Sequence, residues 1–424
     1  MRIKTSTEAP KEEPVLSKSM ISGRSPSPEV VERSEKGGCE AAGSEEVLAE
    51  LNLHATADRM MDLVLADGSV YTGRAFGAPR EVRGEVVFNT GMTGYVETLT
   101  DPSYRGQILV LTYPLQNNYG VPPPPFESEG IQVQGLVVSR YSARHSHHRA
   151  VRSLGEWLRS ENIPAIEGVD TRTLTRRLRA HGTMDGCLVS GASVDHAEGI
   201  DMTSVVADVS PREIVHYRGG DLRILVIDTG AKENIIRSLQ SRGATVVRVP
   251  FQADWERLLD EVDGVQLTNG PGDPADLGPL VERLRTVLQR GLPTFGICLG
   301  HQLLALAAGG KTYKLKYGHR SQNQPVMDQV TRRAYVTSQN HGFAVRNESL
   351  PHDWEPWFVN LNDHSNEGIR HRYRPFRSVQ FHPEAAAGPR DTAYLFDDFL
   401  RMVGEMRKVR RHEGLQSRLP AVAS

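Results

Sequence analysis

From residue 222 onward, short apolar runs alternate with amphipathic ones, and this alternation constrains the fold more than any other feature. "LRILVIDTG", "ATVVRVPF", "DGVQLTNGPGDP" and "LPTFGIC" read as buried strands. Between them "AKENIIRSLQSRG", "WERLLDEV" and "PLVERLRTVLQRG" have helical spacing. Strand and helix alternating at this pitch predict an α/β fold built on an open, mostly parallel sheet covered by helices on both faces. Ligands of such sheets bind beyond the carboxyl ends of the strands. Both "NGPGDP" and "GICLGHQ" fall at such ends. After residue 312 the pattern turns to shorter strands and hairpins, in "AYVTSQNHGFAV", "WFVNLND" and "RSVQFHPE", closed by a helix in "TAYLFDDFLRMVGEMRK". The reading places one domain at 222–408 and a polar C-terminal tail at 409–424.

Residues 61–215 read as a separate, β-rich α/β domain. Apolar alternation on both sides of Asp67-Gly68 is a hairpin signal. "GEVVFNTG" and "GQILVLTYP" are further strands, with "TDPSY" as a turn and the proline run of "NNYGVPPPPFESEG" as an extended spacer. "AVRSLGEWLRSENI" has helical spacing, and Asp170 or Thr171 caps a short basic helix ended by Gly182. Residues 1–58 are rich in Ser, Glu, Lys and Pro and poor in aromatics, the composition of a disordered tail or of a start codon assigned too far upstream. Within them "SEEVLAELNLHA" has the pattern of a short helix.

Composition excludes several classes of function. The formal net charge of -2 gives no reason to expect nucleic acid or a membrane surface as partner. No apolar run is long enough to span a bilayer, and the N-terminal segment lacks a secretory core. Three widely separated cysteines, Cys39, Cys187 and Cys298, are not a disulfide framework, so a reducing, cytoplasmic setting is expected. The histidine tract "RHSHHRA" has no cysteine or clustered carboxylate to complete a metal site and reads as a solvated loop; no metal is expected.

The chemistry concentrates at "PTFGICLGHQLLALAAGG", residues 293–310. Gly-x-Cys-x-Gly between a buried strand and a helix fits a nucleophile elbow, and by itself fits a buried structural cysteine at a packed turn equally well. Gly296 and Gly300 allow close approach of strand and helix. The helix start favours thiolate, and its N–H groups, that of Leu299 among them, can donate to an oxyanion. A cysteine nucleophile needs a base and the base an orienter. "SVQFHPE" offers His382 and Glu384, two apart and on one face of an extended chain. A surface histidine beside a glutamate is the plain alternative.

Together, "NGPGDP", "FGICLGHQLLALAAGGKTYKLKYGHRSQNQP", "TSQNHGFAV" and "VQFHPE" resemble the class I (triad) glutamine amidotransferase domain. "GEVVFNTGMTGYVETLTDPSYRGQILVLTYP" and "EGVDTRTLTRRLRAHG" resemble the small chain of carbamoyl-phosphate synthase. The resemblance covers roughly residues 61–405. It implies hydrolysis of L-glutamine to glutamate and ammonia, with Cys298 as nucleophile, His382 as base and acid, and Glu384 as orienter. It implies glutamine contacts at Ser103, Gly270, Gly272, Leu299, Gln302, Asn340, Gly342 and Phe343. It further implies a tunnel to a large-chain partner and no cofactor in this chain, and leaves open whether the pair builds a higher hetero-oligomer. ATP, Mg and bicarbonate belong to the large chain. Another triad amidotransferase would share the chemistry without explaining residues 61–210, and a non-catalytic stabilising module would not need Cys298, His382 and Glu384. The product's destination, arginine or pyrimidines or both, stays open.

Overall fold

The computed structural model describes residues 59–191 and 199–416. The expected N-terminal tail and the short helix within it lie outside the described residues.

The first half is a closed seven-stranded barrel in the order β1-β2-β6-β5-β4-β3-β7. Its strands are β1 (Met60–Leu65), β2 (Val70–Ala75), β3 (Val82–Asn89), β4 (Gln107–Gln116), β5 (Gly135–Tyr141), β6 (Ala165–Glu167) and β7 (Met184–Val189). The Asp67-Gly68 hairpin joins β1 to β2, and β1 also pairs with β7 to close the barrel. Alternation along β4 sorts its side chains. Ile108 and Val110 pack with Leu63, Val86 and Leu188, while Leu109 and Leu111 pack with Trp157 and Leu158. Ser153 opens the helix Leu154–Ser160 with a capping box completed by Glu156. Asp170, rather than Thr171, caps the helix Thr171–His181, and Gly182 ends it at φ 100°.

The second half is a ten-stranded sheet in the order β14-β13-β15-β16-β17-β12-β11-β9-β10-β8. These strands are β8 (Val215–Tyr217), β9 (Arg223–Asp228), β10 (Thr245–Pro250), β11 (Gly264–Leu267), β12 (Thr294–Ile297), β13 (Thr312–Asp328), β14 (Ala334–Val345), β15 (Trp354–Asn360), β16 (Asn366–His371) and β17 (Phe376–Val379). The run β10-β9-β11-β12-β17 is parallel. Antiparallel strands extend it on both sides, so the sheet is mixed, with the expected parallel part at its centre. Along β9, Leu225 and Ile227 face the helix Gly278–Arg290, and Ile224 and Val226 face the helices Glu233–Gln240 and Tyr394–Gln416. Helices thus cover both faces.

Three features differ from the sequence reading. After residue 312, where shorter strands were expected, β13 runs for 17 residues and β14 for 12. "WERLLDEV" forms only a 3-10 turn at Glu256–Leu258, because so short a link cannot repay helix nucleation. The last helix runs to Gln416, through residues assigned to a polar tail, since Arg, Lys and Glu are good helix formers without needing burial. Among the described residues no helix is long and apolar enough to cross a membrane.

The turn after β12 depends on its two glycines. A Cβ at Gly296 would stand 2.6 Å from the Gly300 carbonyl oxygen, and one at Gly300 would stand 2.6 Å from that of Leu267. Backbone, not a flexible side chain, fills both places. Gly300→Ala is therefore expected to cost roughly 2 kcal/mol through forced overpacking. Chemical denaturation measures this; an unchanged midpoint would show that the strand and helix can part cheaply.

Candidate active site

Cys298 follows β12 and precedes the helix Leu299–Ala307, with φ 54° and ψ -105°. A non-glycine residue there is strained and persists only where its surroundings fix it. Here its N–H donates to the Val379 carbonyl at 2.9 Å, and Gly300 N–H donates to Thr268 at 2.9 Å. The conformation pushes the side chain out of the strand–helix line, toward the ends of the parallel strands. The Cys298 thiol lies 3.5 Å from the Asn340 carbonyl oxygen. Leu299 is the first helical residue, so its N–H has no acceptor within the helix.

His382 and Glu384 meet as the sequence suggested, but in a turn rather than an extended strand. β17 ends at Val379, and Ala385 N–H donates back to the His382 carbonyl at 3.0 Å. His382 N–H is tied to Ser338 of β14 at 2.9 Å. The imidazole Nδ1 stands 2.6 Å from Glu384 Oε1. Both side chains are buried, and His382 Nε2 has no hydrogen-bond partner. Burial alone would lower the His382 pKa; the Glu384 carboxylate and the Cys298 sulfur outweigh it and raise it. Burial would raise that of Glu384, but His382 and Lys232 lower it. The Cys298 sulfur and the His382 ring thus form a pair whose imidazole is oriented by a carboxylate.

Lys232 was not legible as a site residue. Its Nζ lies 3.2 Å from Glu384 Oε1 and donates to the Ala385 carbonyl. It is buried, and the carboxylates of Glu384, Glu127 and Asp101 overcome desolvation to raise its pKa. Asp101 was missed as well. It accepts from Ser103 N–H at 2.9 Å and from Asn340 Nδ2 at 2.9 Å. Asn269 Nδ2 donates to Ser103 Oγ at 2.9 Å. No local motif marks either residue; each is defined by partners from a distant part of the chain.

A cavity of about 300 Å³ opens at Cys298, and Ser103, Gly270, Gly272, Gln302, Asn340, Gly342 and Phe343 line it. Ser103 comes from the barrel half and the others from the sheet half. Leu299 packs behind Gly270, where an added Cβ would meet its Cδ2 at 2.9 Å. Gln302 Nε2 donates to the Phe343 carbonyl at 2.9 Å and to Gln380 Oε1 at 3.0 Å. All the residues named from sequence are therefore gathered around one thiol.

The "RHSHHRA" tract is a turn in which His147 and His148 are exposed. Among the described residues, the grouping with metal-like spacing is the buried set His319, His341 and Glu367, whose ligand atoms lie within 4.8 Å of one another. It is arranged as an ion network: His319 Nε2 is 2.8 Å from Asp363, and its Nδ1 is 3.4 Å from Glu367.

The chain is similar to several known proteins. The family model for glutamine amidotransferase class-I matches residues 225–402. That for the carbamoyl-phosphate synthase small chain, CPSase domain, matches residues 63–188. A carbamoyl phosphate synthase arginine-specific small chain of Neosartorya fischeri is 46% identical over 373 residues, covering 84% of this chain and 82% of its own. The multifunctional protein URA2 of Saccharomyces cerevisiae is 46% identical over 400 residues, covering 84% of this chain but 18% of its own. A solved structure, a glutamine amidotransferase from Thermotoga maritima, is 20% identical with a TM-score of 0.34, covering 44% of this chain and 98% of its own.

The raised His382 pKa sets a pH rule. The pair's contribution to stability is full below the ordinary imidazole value of 6.5 and is lost as pH rises through the raised folded value. The lowered Glu384 contributes above its ordinary 4.5 and is lost as pH falls through its folded value. Replacing Glu384 by Gln removes the counter-charge of both His382 and Lys232. The His382 titration, followed by NMR of ring-labelled histidine, then moves to lower pH, and the fold loses about 3 kcal/mol. A His382 titration that stayed in place would show that Glu384 does not hold its proton.

Proposed function

The chain belongs to the carbamoyl-phosphate synthase small-chain family, and from that premise we propose that Cys298 hydrolyses the side-chain amide of L-glutamine and that the ammonia formed serves a separate large chain. The observation that carries this reading is the Cys298 elbow facing a buried histidine whose Nδ1 is 2.6 Å from Glu384 and whose Nε2 is unpartnered.

The geometry supports the following steps. Cys298 sulfur, as thiolate, attacks the amide carbon, and negative charge moves to the amide oxygen. N–H groups at Leu299 and in the Gly270–Gly272 turn stabilise that oxyanion. Nε2 of His382 gives its proton to the amide nitrogen, the C–N bond breaks, and ammonia leaves a thioester on Cys298. His382, now neutral, takes a proton from water as the water oxygen attacks the thioester carbon. The C–S bond breaks, glutamate is released, and thiolate and imidazolium are restored. Glu384 keeps the Nδ1–H bond throughout and so holds the ring and its charge in place. Lys232 keeps Glu384 ionised and fixed.

Ammonia is volatile and protonates readily in water, so its use calls for a closed passage to the partner. The large chain would bind ATP, Mg and bicarbonate and form carbamoyl phosphate; this chain needs no cofactor for the amide step. The relatives of comparable length named arginine-specific small chains support arginine synthesis as the destination.

Cys298→Ser tests the reading in the assembled enzyme. Synthesis of carbamoyl phosphate from glutamine is expected to fall by at least about 1,000-fold, the scale of losing an activated nucleophile. Synthesis from added ammonium should be kept. Retained glutamine hydrolysis in this variant would remove Cys298 from the mechanism.

A further inference from the structure

Glu127 lies in the barrel half, just after the proline run 122–125, and no step above uses it. Its side chain is buried. Its N–H donates to Thr100 Oγ1 at 3.2 Å, and Ser128 Oγ donates to the Thr100 carbonyl at 2.7 Å, so the loop is fastened to the barrel beside Asp101. From there it grips the start of the helix Glu233–Gln240. The Glu127 carbonyl accepts from Glu233 N–H at 2.9 Å, and Glu127 Oε2 accepts from Asn234 N–H at 3.1 Å. Arg237, one turn further along, donates to Glu127 Oε1 with Nη2 and to the Phe126 carbonyl with Nη1 at 3.2 Å.

The same helix start holds the Glu384 turn. Asn234 Nδ2 donates to the Glu384 carbonyl, and Lys232 Nζ donates to that of Ala385. Lys232 and His382 also meet one carboxylate oxygen. Glu384 Oε1 is 3.2 Å from Lys232 Nζ and 2.6 Å from His382 Nδ1, while Oε2 is buried with no hydrogen-bond partner. The more Lys232 depends on that oxygen, the less of its charge is left to hold a proton on His382. Glu127 and Asp101 are the further carboxylates whose charge acts on Lys232. Asp101 is bonded to Ser103 and Asn340, whereas Glu127 is bonded to the helix that Lys232 precedes. The other titratable groups facing this set are Arg237 at Glu127, and Cys298 and His341 at His382.

We propose that Glu127 is a positioning residue for the reaction: held on the barrel, it shares Lys232 with Glu384 and so leaves Glu384 Oε1 to His382. The inference rests on the glutaminase reading, and it ties the readiness of the Cys298, His382 and Glu384 set to the seating of the barrel half on the sheet half. Glu127 touches no reacting atom and acts through Lys232.

The His382 titration tests this without substrate, by NMR of ring-labelled histidine in the full chain, its signal assigned by its loss in His382→Asn. Glu127→Gln keeps an acceptor for Asn234 N–H and removes the charge. The His382 titration should then move down by about one pH unit, a tenfold weaker hold on the proton. Glu127→Asp, which keeps the charge, should stay nearer the parent. Arg237→Gln leaves Glu127 to Lys232 alone and should move the titration upward, an opposition that loosening of the fold would not produce. Arg237 is partly exposed, so this variant serves even where Glu127→Gln fails to fold. In a Lys232→Met chain, adding Glu127→Gln should shift the titration roughly half as much or less, because the intermediary is gone. An equal shift with and without Lys232, or none in either, would overturn the proposal. So would Arg237→Gln moving the titration downward. A chain that shows this coupling yet releases no ammonia from glutamine would instead count against the hydrolytic reading alone.

Discussion

The buried carboxylate of Asp101 is the contact on which the shape of the site depends. It lies in the barrel half and caps the turn that carries Ser103. Its second oxygen reaches Asn340 at 2.9 Å, on the strand that also presents Gly342 and Phe343. Asn269, just before the Gly270–Gly272 turn, reaches Ser103 with its Nδ2 and accepts from Lys232 N–H at 2.9 Å with its Oδ1. One acid and two amides thus join four segments from distant parts of the chain: the Asp101 turn, the Asn269 turn, β14 and the backbone at Lys232. Asn340 passes this register to the nucleophile through its carbonyl, which faces the Cys298 sulfur. A shift of the barrel against the sheet would move Ser103 and the cavity wall together.

The charges of the site form a second constraint. Lys232, His382 and Glu384 are all buried, and none would be stable there alone. In sequence order a cation, a cation and an anion meet, and the carboxylates of Glu127 and Asp101 also act on Lys232. In the proposed reaction, the negative charge that leaves sulfur for the oxyanion stays within reach of the helix N–H groups.

How much of this was legible in the chain depended on sequence distance. The parallel sheet was legible because each βα unit writes its own period within about a dozen residues. Cys298 with its glycines, and His382 with Glu384, were legible because each pair lies within a few residues of itself. Asp101 and Lys232 were not. Asp101 reads as an ordinary turn residue and Lys232 as a polar residue at a helix start, and their partners lie more than a hundred residues away. Closure of the barrel failed to show for the same reason: β1 and β7 are both unremarkable strands, and only their pairing makes a barrel.

Several buried histidines stand near the thiol, and comparing His301 with His382 shows how surroundings decide which can hold a proton. His301 is three residues along the helix from Cys298, nearer in sequence than His382. Its Nδ1 is 2.9 Å from Ser378 Oγ, and no carboxylate offsets its burial, which lowers its pKa to about 3. Such a ring stays neutral at any ordinary pH and cannot hold the proton that the leaving nitrogen requires. His382 is buried to a similar degree, yet Glu384 and the Cys298 sulfur reverse the outcome. Burial is common to both residues, so it is the placed carboxylate, itself kept ionised by a lysine, that lets one of them hold the proton that the proposed amide cleavage needs.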